Sequence, residues 1–177
     1  MEVKKPCEDK MALKEQLINS LKKAMQGEMD SVTLYTNAAN HSKDPDVKEF
    51  FYSRREEERL HYNYLLQYYQ EISNDLQPSD LSDRISIPVS DHPMITEGFL
   101  RRIGEDQILY SAISIALLLE KDAIEHYRNS MAEAENLTLK SFYELMIRWE
   151  SKHYDDLLLV QKDAEQYYWQ INQFEPF

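Results

Sequence analysis

The chain has 177 residues, a formal net charge of −12, three Gly and six Pro. That length suits one domain with a substantial core, and so few helix breakers indicate a mostly helical protein. The acidity excludes an electrostatic footprint for nucleic acid or an anionic membrane. The single cysteine, Cys7, excludes an internal disulfide, a thiolate zinc site and a rubredoxin-type iron site within these residues.

The opening segment MEVKKPCEDK has no apolar signal region, so Cys7 is expected as a reduced thiol in an N-terminal arm. No apolar run is long enough to span a bilayer, and the expected location is the cytoplasm. Helical periodicity then runs from about Asp9 to His41. The joint HSKDPD follows, with Asp44-Pro45 placed to start the next helix, which runs from about Asp46 to Ser73. A joint this short makes the pair antiparallel.

Residues 74–104 break the pattern with NDLQPSD, the β-like RISIPVSDHP and the mixed MITEGFLRRIG. A third helix is expected over about Glu105–Glu135 and a fourth over about Thr138–Ile171, joined by the short ENLT. The expected domain is therefore a hairpin over 9–73, a crossover over 74–104 and a second hairpin over 105–171. A connection as long as 74–104 can cross the bundle from end to end and make helices two and three parallel. This gives an all-α fold, a ferritin-like four-helix bundle with one long crossover.

Shifting the chain by 92 residues lays one hairpin on the other. Ala24 falls on Ala116, Glu28 on Glu120, Tyr35 on Tyr127, Phe50 on Phe142, Glu58 on Glu150, His61 on His153 and Leu65 on Leu157. One ungapped register covers both helix pairs and their joints, so the chain reads as an internal two-fold repeat of a helical hairpin.

The repeat carries chemistry. Glu58 and His61, in EEERLH, lie three apart and share a helix face, as do Glu150 and His153 in WESKH. Each first helix adds a Glu, Glu28 or Glu120, on a stripe that otherwise reads as core. A carboxylate there is costly unless it is paired or bound to a cation. Four Glu and two His facing inward from four helices form the ligand set of di-iron and di-manganese carboxylate bundles. Carboxylates can bridge two ions, imidazole suits iron, and four negative charges balance two divalent cations.

The segments QGEMDSVTLY, EEERLH, LEKDAIEHY and WESKH resemble the rubrerythrin and ferritin-like di-iron family. The resemblance covers nearly all of the chain after its first ten residues. It implies that Glu28 and Glu120 are terminal ligands on separate metals, that Glu58 and Glu150 bridge, and that His61 and His153 complete the two positions. It implies two iron ions as cofactor, with manganese served by the same ligands. It also implies an oxidoreductase acting on hydrogen peroxide or O2, of ferroxidase or peroxidase type. The alternatives are an iron-binding or storage protein without turnover and a di-manganese centre that dismutates peroxide.

Two departures bear on that expectation. Family members usually carry a rubredoxin domain that feeds electrons to the centre; here the donor is expected to be an external redox partner or Fe(II) itself. They also place an extra Glu one turn beyond the first on helix three, where this chain has Ala123, which favours a simpler oxidase or ferroxidase centre.

Tyr35 and Tyr127 each follow their Glu by seven residues on the same face. They are candidates to hydrogen-bond a ligand or absorb a stray oxidising equivalent, or to be plain core aromatics. Asp122, Glu125 and His126 lie off the metal stripe and are expected at the surface; His41 and His92 fall in joints. The aromatic stretch QYYWQINQF is expected to cap the bundle end or to form a contact in a homodimer.

Overall fold

A computed structural model describes residues 6–81 and 95–172, with side chains from Met11 onward. The thiol of Cys7, the β-like segment 84–93 with His92, and the last residues of the aromatic stretch lie outside the described set. Five helices occur in it: α1 (Pro6–His41), α2 (Pro45–Ser73), α3 (Glu97–Glu105), α4 (Gln107–Glu133) and α5 (Leu137–Ile171). Among the described residues no helix is long and apolar enough to cross a membrane.

The starts of the helices are written locally. Asp44 precedes Pro45 and accepts from the amides of Asp46 and Val47, which caps α2. Asp106 accepts from Ile108 and Leu109 and caps α4. Asn136 accepts from Leu139 and caps α5.

Asp106 also explains the main difference from the sequence reading. The segment 97–105 is a separate short helix, capped by Thr96, rather than mixed chain. The extended backbone at Asp106 ends α3 and starts α4 anew. Gly104 is what lets α3 lie on α5. A Cβ there would overlap the Ala164 carbonyl oxygen and come within 2.7 Å of Tyr167 Cβ.

Cross-helix bonds give the directions. Lys14 reaches Ser73 and Tyr52 reaches Asn40, so α1 and α2 are antiparallel. Ser20 meets Ser130 and His41 meets Asp106, so α1 and α4 are antiparallel. It follows that α2 and α4 run parallel, which a long crossover requires and a simple up-and-down bundle forbids.

Buried positions on α1 step by three and four through Leu21, Ala24, Glu28, Ser31, Tyr35 and Ala38. On α5 they step through Met146, Trp149, Glu150, His153, Leu157 and Val160. This is the inward stripe of a packed bundle. The apolar core divides into two clusters. One holds Tyr35, Phe50, Phe51, Phe99 and Leu157; the other holds Leu21, Leu65, Tyr127, Phe142 and Trp149. The buried acids and histidines belong to neither. Tyr168 stacks on Tyr110 at 4.3 Å, so the described part of the aromatic stretch packs on the end of α4.

Candidate metal centre

Each helix of the bundle brings its polar side chains inward at the same level. Glu28 comes from α1, Glu58 and His61 from α2, Glu120 from α4, and Glu150 and His153 from α5. All six are at most 3% exposed. They converge as two groups of four. Glu28, Glu58, His61 and Glu150 form one; Glu58, Glu120, Glu150 and His153 form the other. In each group the ligand atoms lie within 4.8 Å of one another, and Glu58 and Glu150 belong to both.

The contacts inside the cluster are close without being hydrogen bonds. His61 Nδ1 lies 3.4 Å from Glu28 Oε2, 3.2 Å from Glu58 Oε2 and 2.8 Å from Glu150 Oε1. His153 Nδ1 lies 3.1 Å from Glu58, 3.7 Å from Glu120 and 3.2 Å from Glu150. Yet both Nδ1 atoms, Glu58 Oε1 and both oxygens of Glu150 lack a hydrogen-bond partner among the described residues. Buried polar atoms are normally paired, and each exception requires a cause. Here they aim at common points between the side chains, as donors to a cation do. The donor set, hard carboxylates with one imidazole per group, fits a di-metal site.

The electrostatics of the cluster without metal are those of opposed charges in a dry interior. Burial raises the Glu28 and Glu120 carboxyls, helped by the other acids, and Glu120 is pushed up to about 8. Burial acts the same way on Glu58 and Glu150, but the two imidazoles outweigh it. Glu58 is held well below its ordinary value and Glu150 is lowered to about 2. Burial would lower His61 and His153; the surrounding carboxylates overcome it and hold both well above the ordinary range.

The two tyrosines close the ends of the site. Tyr35 donates to Glu120 Oε1 at 2.8 Å, and Tyr127 donates to Glu28 Oε1. Each therefore serves the Glu of the other hairpin. Seven residues along one helix, about 10 Å of rise, separate each tyrosine from the Glu of its own helix. Antiparallel α1 and α4 bring the partner's Glu level with it instead.

A cavity of about 360 Å³ lies between α1 and α4 and is lined by Glu28, Glu58, Glu120 and Glu150, with Ala123, Gly27 and exposed Lys23 and Asp122 also on its wall. His126 lines it too, which corrects the surface assignment. The ring is half-buried, its Nε2 lies 3.0 Å from the Ser20 carbonyl, and burial lowers its pKa. The spacing of His126 and Ser130, which both meet Ser20, marks a second inward stripe facing α1. Asp122 and Glu125 are exposed as expected, and so is His41, which pairs with Asp106.

Three residues at the centre were not singled out by the sequence. Glu57 Oε2 lies 2.6 Å from His153 Nε2. Arg54, fully buried, bonds Asp156 at 2.7 Å and approaches Glu57 at 3.5 Å. Trp149 packs edge-on to His61 at 4.3 Å between ring centres. The 92-residue shift pairs Glu57 with Trp149 and Arg54 with Met146, so a search for repeated residues passes over them.

A family model described as rubrerythrin matches residues 19–161, a span that holds all six clustered side chains. No curated protein and no solved structure matches the chain.

Proposed function

The chain belongs to the rubrerythrin family, and on that premise we propose that the buried cluster holds two iron ions and that the protein is an oxidoreductase acting on hydrogen peroxide or O2. Electrons come from Fe(II) or an external redox partner. The observation that carries this reading is the pair of four-residue groups sharing Glu58 and Glu150, in which Glu58 Oε1, both Glu150 oxygens and both imidazole Nδ1 atoms have no hydrogen-bond partner among the described residues. Two shared carboxylates between two His-bearing groups is what a pair of ions a few ångströms apart needs. When bound, the iron pair supplies two electrons to the oxidant.

The protein's part is placement. In this reading Glu58 and Glu150 would be shared by the two ions, Glu28 and His61 would complete one position, and Glu120 and His153 would complete the other. Tyr127 and Tyr35 fix the two terminal carboxylates from the opposite hairpin. The apolar clusters on either side exclude bulk water, and the α1–α4 cavity gives a small oxidant a way in. Ala123 stands on that wall and offers no fifth carboxylate, which supports a simple oxidase or ferroxidase centre.

The test is anaerobic loading with Fe(II), followed by one equivalent of hydrogen peroxide or excess O2, with near-ultraviolet spectra recorded. Fast growth of ferric absorption with one of the oxidants, lost in Glu58→Ala, supports the reading and identifies the oxidant. Loading with Fe(II) that neither oxidant changes leaves a metal-binding protein without turnover.

A further inference from the structure

The two halves of the repeat match at every ligand and differ directly behind them. On the α5 side, His153 Nε2 meets Glu57 Oε2 at 2.6 Å. Glu57 is held in turn: the Trp149 indole N–H approaches the same oxygen at 3.4 Å and Arg54 at 3.5 Å. Arg54 is anchored by Asp156 at 2.7 Å. Among the described residues the α2 side places no carboxylate behind its histidine. The residue equivalent to Glu57 is Trp149, whose ring lies T-shaped against His61, and the residue equivalent to Asp156 is Tyr64. His61 Nε2 has no hydrogen-bond partner among the described residues.

A carboxylate on the outer nitrogen of a metal-binding histidine fixes its tautomer and ring orientation and raises its strength as a donor. An indole ring packed against the other histidine accepts no hydrogen bond as a carboxylate does and does neither. Building on the di-metal reading, we propose that Glu57 is a positioning residue that makes the two metal positions unequal. The His153 position is preorganised and holds its ion tightly; the His61 position holds its ion loosely and exchanges it. The tight ion is then a resident of the protein and the loose position the one at which Fe(II) enters and leaves.

The experiment is calorimetric titration of the metal-free protein with Co(II), with visible spectra taken at each step. The proposal expects two binding steps separated by roughly tenfold or more. It expects Glu57→Ala to weaken the first step by roughly 10- to 100-fold, to change the visible spectrum of that step, and to leave the second step in place. Glu57→Gln, which keeps an acceptor oxygen and the side-chain volume, restores part of the first-step affinity and guards against a folding defect in the alanine variant. Two equal steps in the unaltered protein overturn the proposal while leaving the di-metal centre standing. Equal weakening of both steps in both variants assigns Glu57 a merely structural role and overturns it as well. Failure of the unaltered protein to bind Co(II), Fe(II) or Mn(II) removes the di-metal reading and this proposal with it.

Discussion

Tyr35 donates a 2.8 Å hydrogen bond to Glu120, a residue 85 positions away in the other half of the repeat. With its mirror, Tyr127 to Glu28, it ties the two hairpins together through the site itself. Neither tyrosine can be replaced by an apolar ring without stripping a buried carboxyl of its donor. Tyr35→Phe is therefore expected to keep the fold, lower the stability of the metal-free protein by about 1–3 kcal/mol, and weaken metal binding by roughly tenfold or more. Urea unfolding and calorimetry read the two effects. An unchanged midpoint and affinity would show that Tyr35 is only a core aromatic.

Loading the site is expected to release protons. In the metal-free protein, burial and neighbouring acids raise the Glu28 and Glu120 carboxyls, Glu120 to about 8, and the carboxylates raise the His61 and His153 imidazoles, so the cluster holds on to protons. Metal binding needs carboxylate and neutral imidazole. Apparent affinity should thus rise with pH up to at least about 8, where Glu120 titrates. Titrations in buffers of different ionisation enthalpy measure the proton count; a heat that does not depend on the buffer contradicts this account.

Glu120 gives a prediction whose sign reverses with loading. Its carboxyl is raised to about 8 in the folded, metal-free protein against about 4.3 in an unfolded chain. The folded state then binds more protons between those values, so its contribution to stability is complete below the lower value and lost as pH rises through the upper. Glu120→Gln removes that loss. At pH 8 the metal-free variant should be more stable than the parent by about 1–3 kcal/mol, while the metal-loaded variant should be less stable than the loaded parent. Thermal melts with and without metal across pH 5–9 decide the matter, and a variant that is destabilised in both states would show that Glu120 is not a strained ligand.

Gly104 tests the packing of the short helix. It is buried where α3 meets α5, and the first atom of any side chain would strike backbone, the Ala164 carbonyl and Tyr168 N at 3.0 Å. Backbone cannot step aside as a flexible side chain can, so Gly104→Ala should cost about 1–3 kcal/mol. Metal stoichiometry should be unaffected, because α3 contributes no residue to the cluster. A neutral effect on the melting temperature would mean that α3 does not sit as described.

The six clustered residues were readable because the chain states them twice. Glu-x-x-His alone is a common accident, but the same pair at equivalent points of an ungapped repeat, each with a Glu upstream, selects one register and one face. The parallel arrangement of α2 and α4 followed from the length of the connection. What stayed hidden is what the repeat does not share. Glu57 aligns with a tryptophan, and nothing local marks it as different from Glu56, its exposed neighbour in the run EEER. His126 lies off the face that carries Glu120, yet α4 packs a second stripe on α1 through Ser20. The division between α3 and α4 was passed over although Gly104 and Asp106, a stop and a cap two residues apart, spell it out.

The most direct test is the position of the metals themselves. Crystals of the Fe(II)-loaded protein, measured across the iron absorption edge, should show two anomalous peaks per chain between Glu58 and Glu150, one beside His61 and one beside His153. A single peak, or peaks confined to surface acids with the cluster empty, would contradict a two-metal centre and leave six buried polar side chains without a cause.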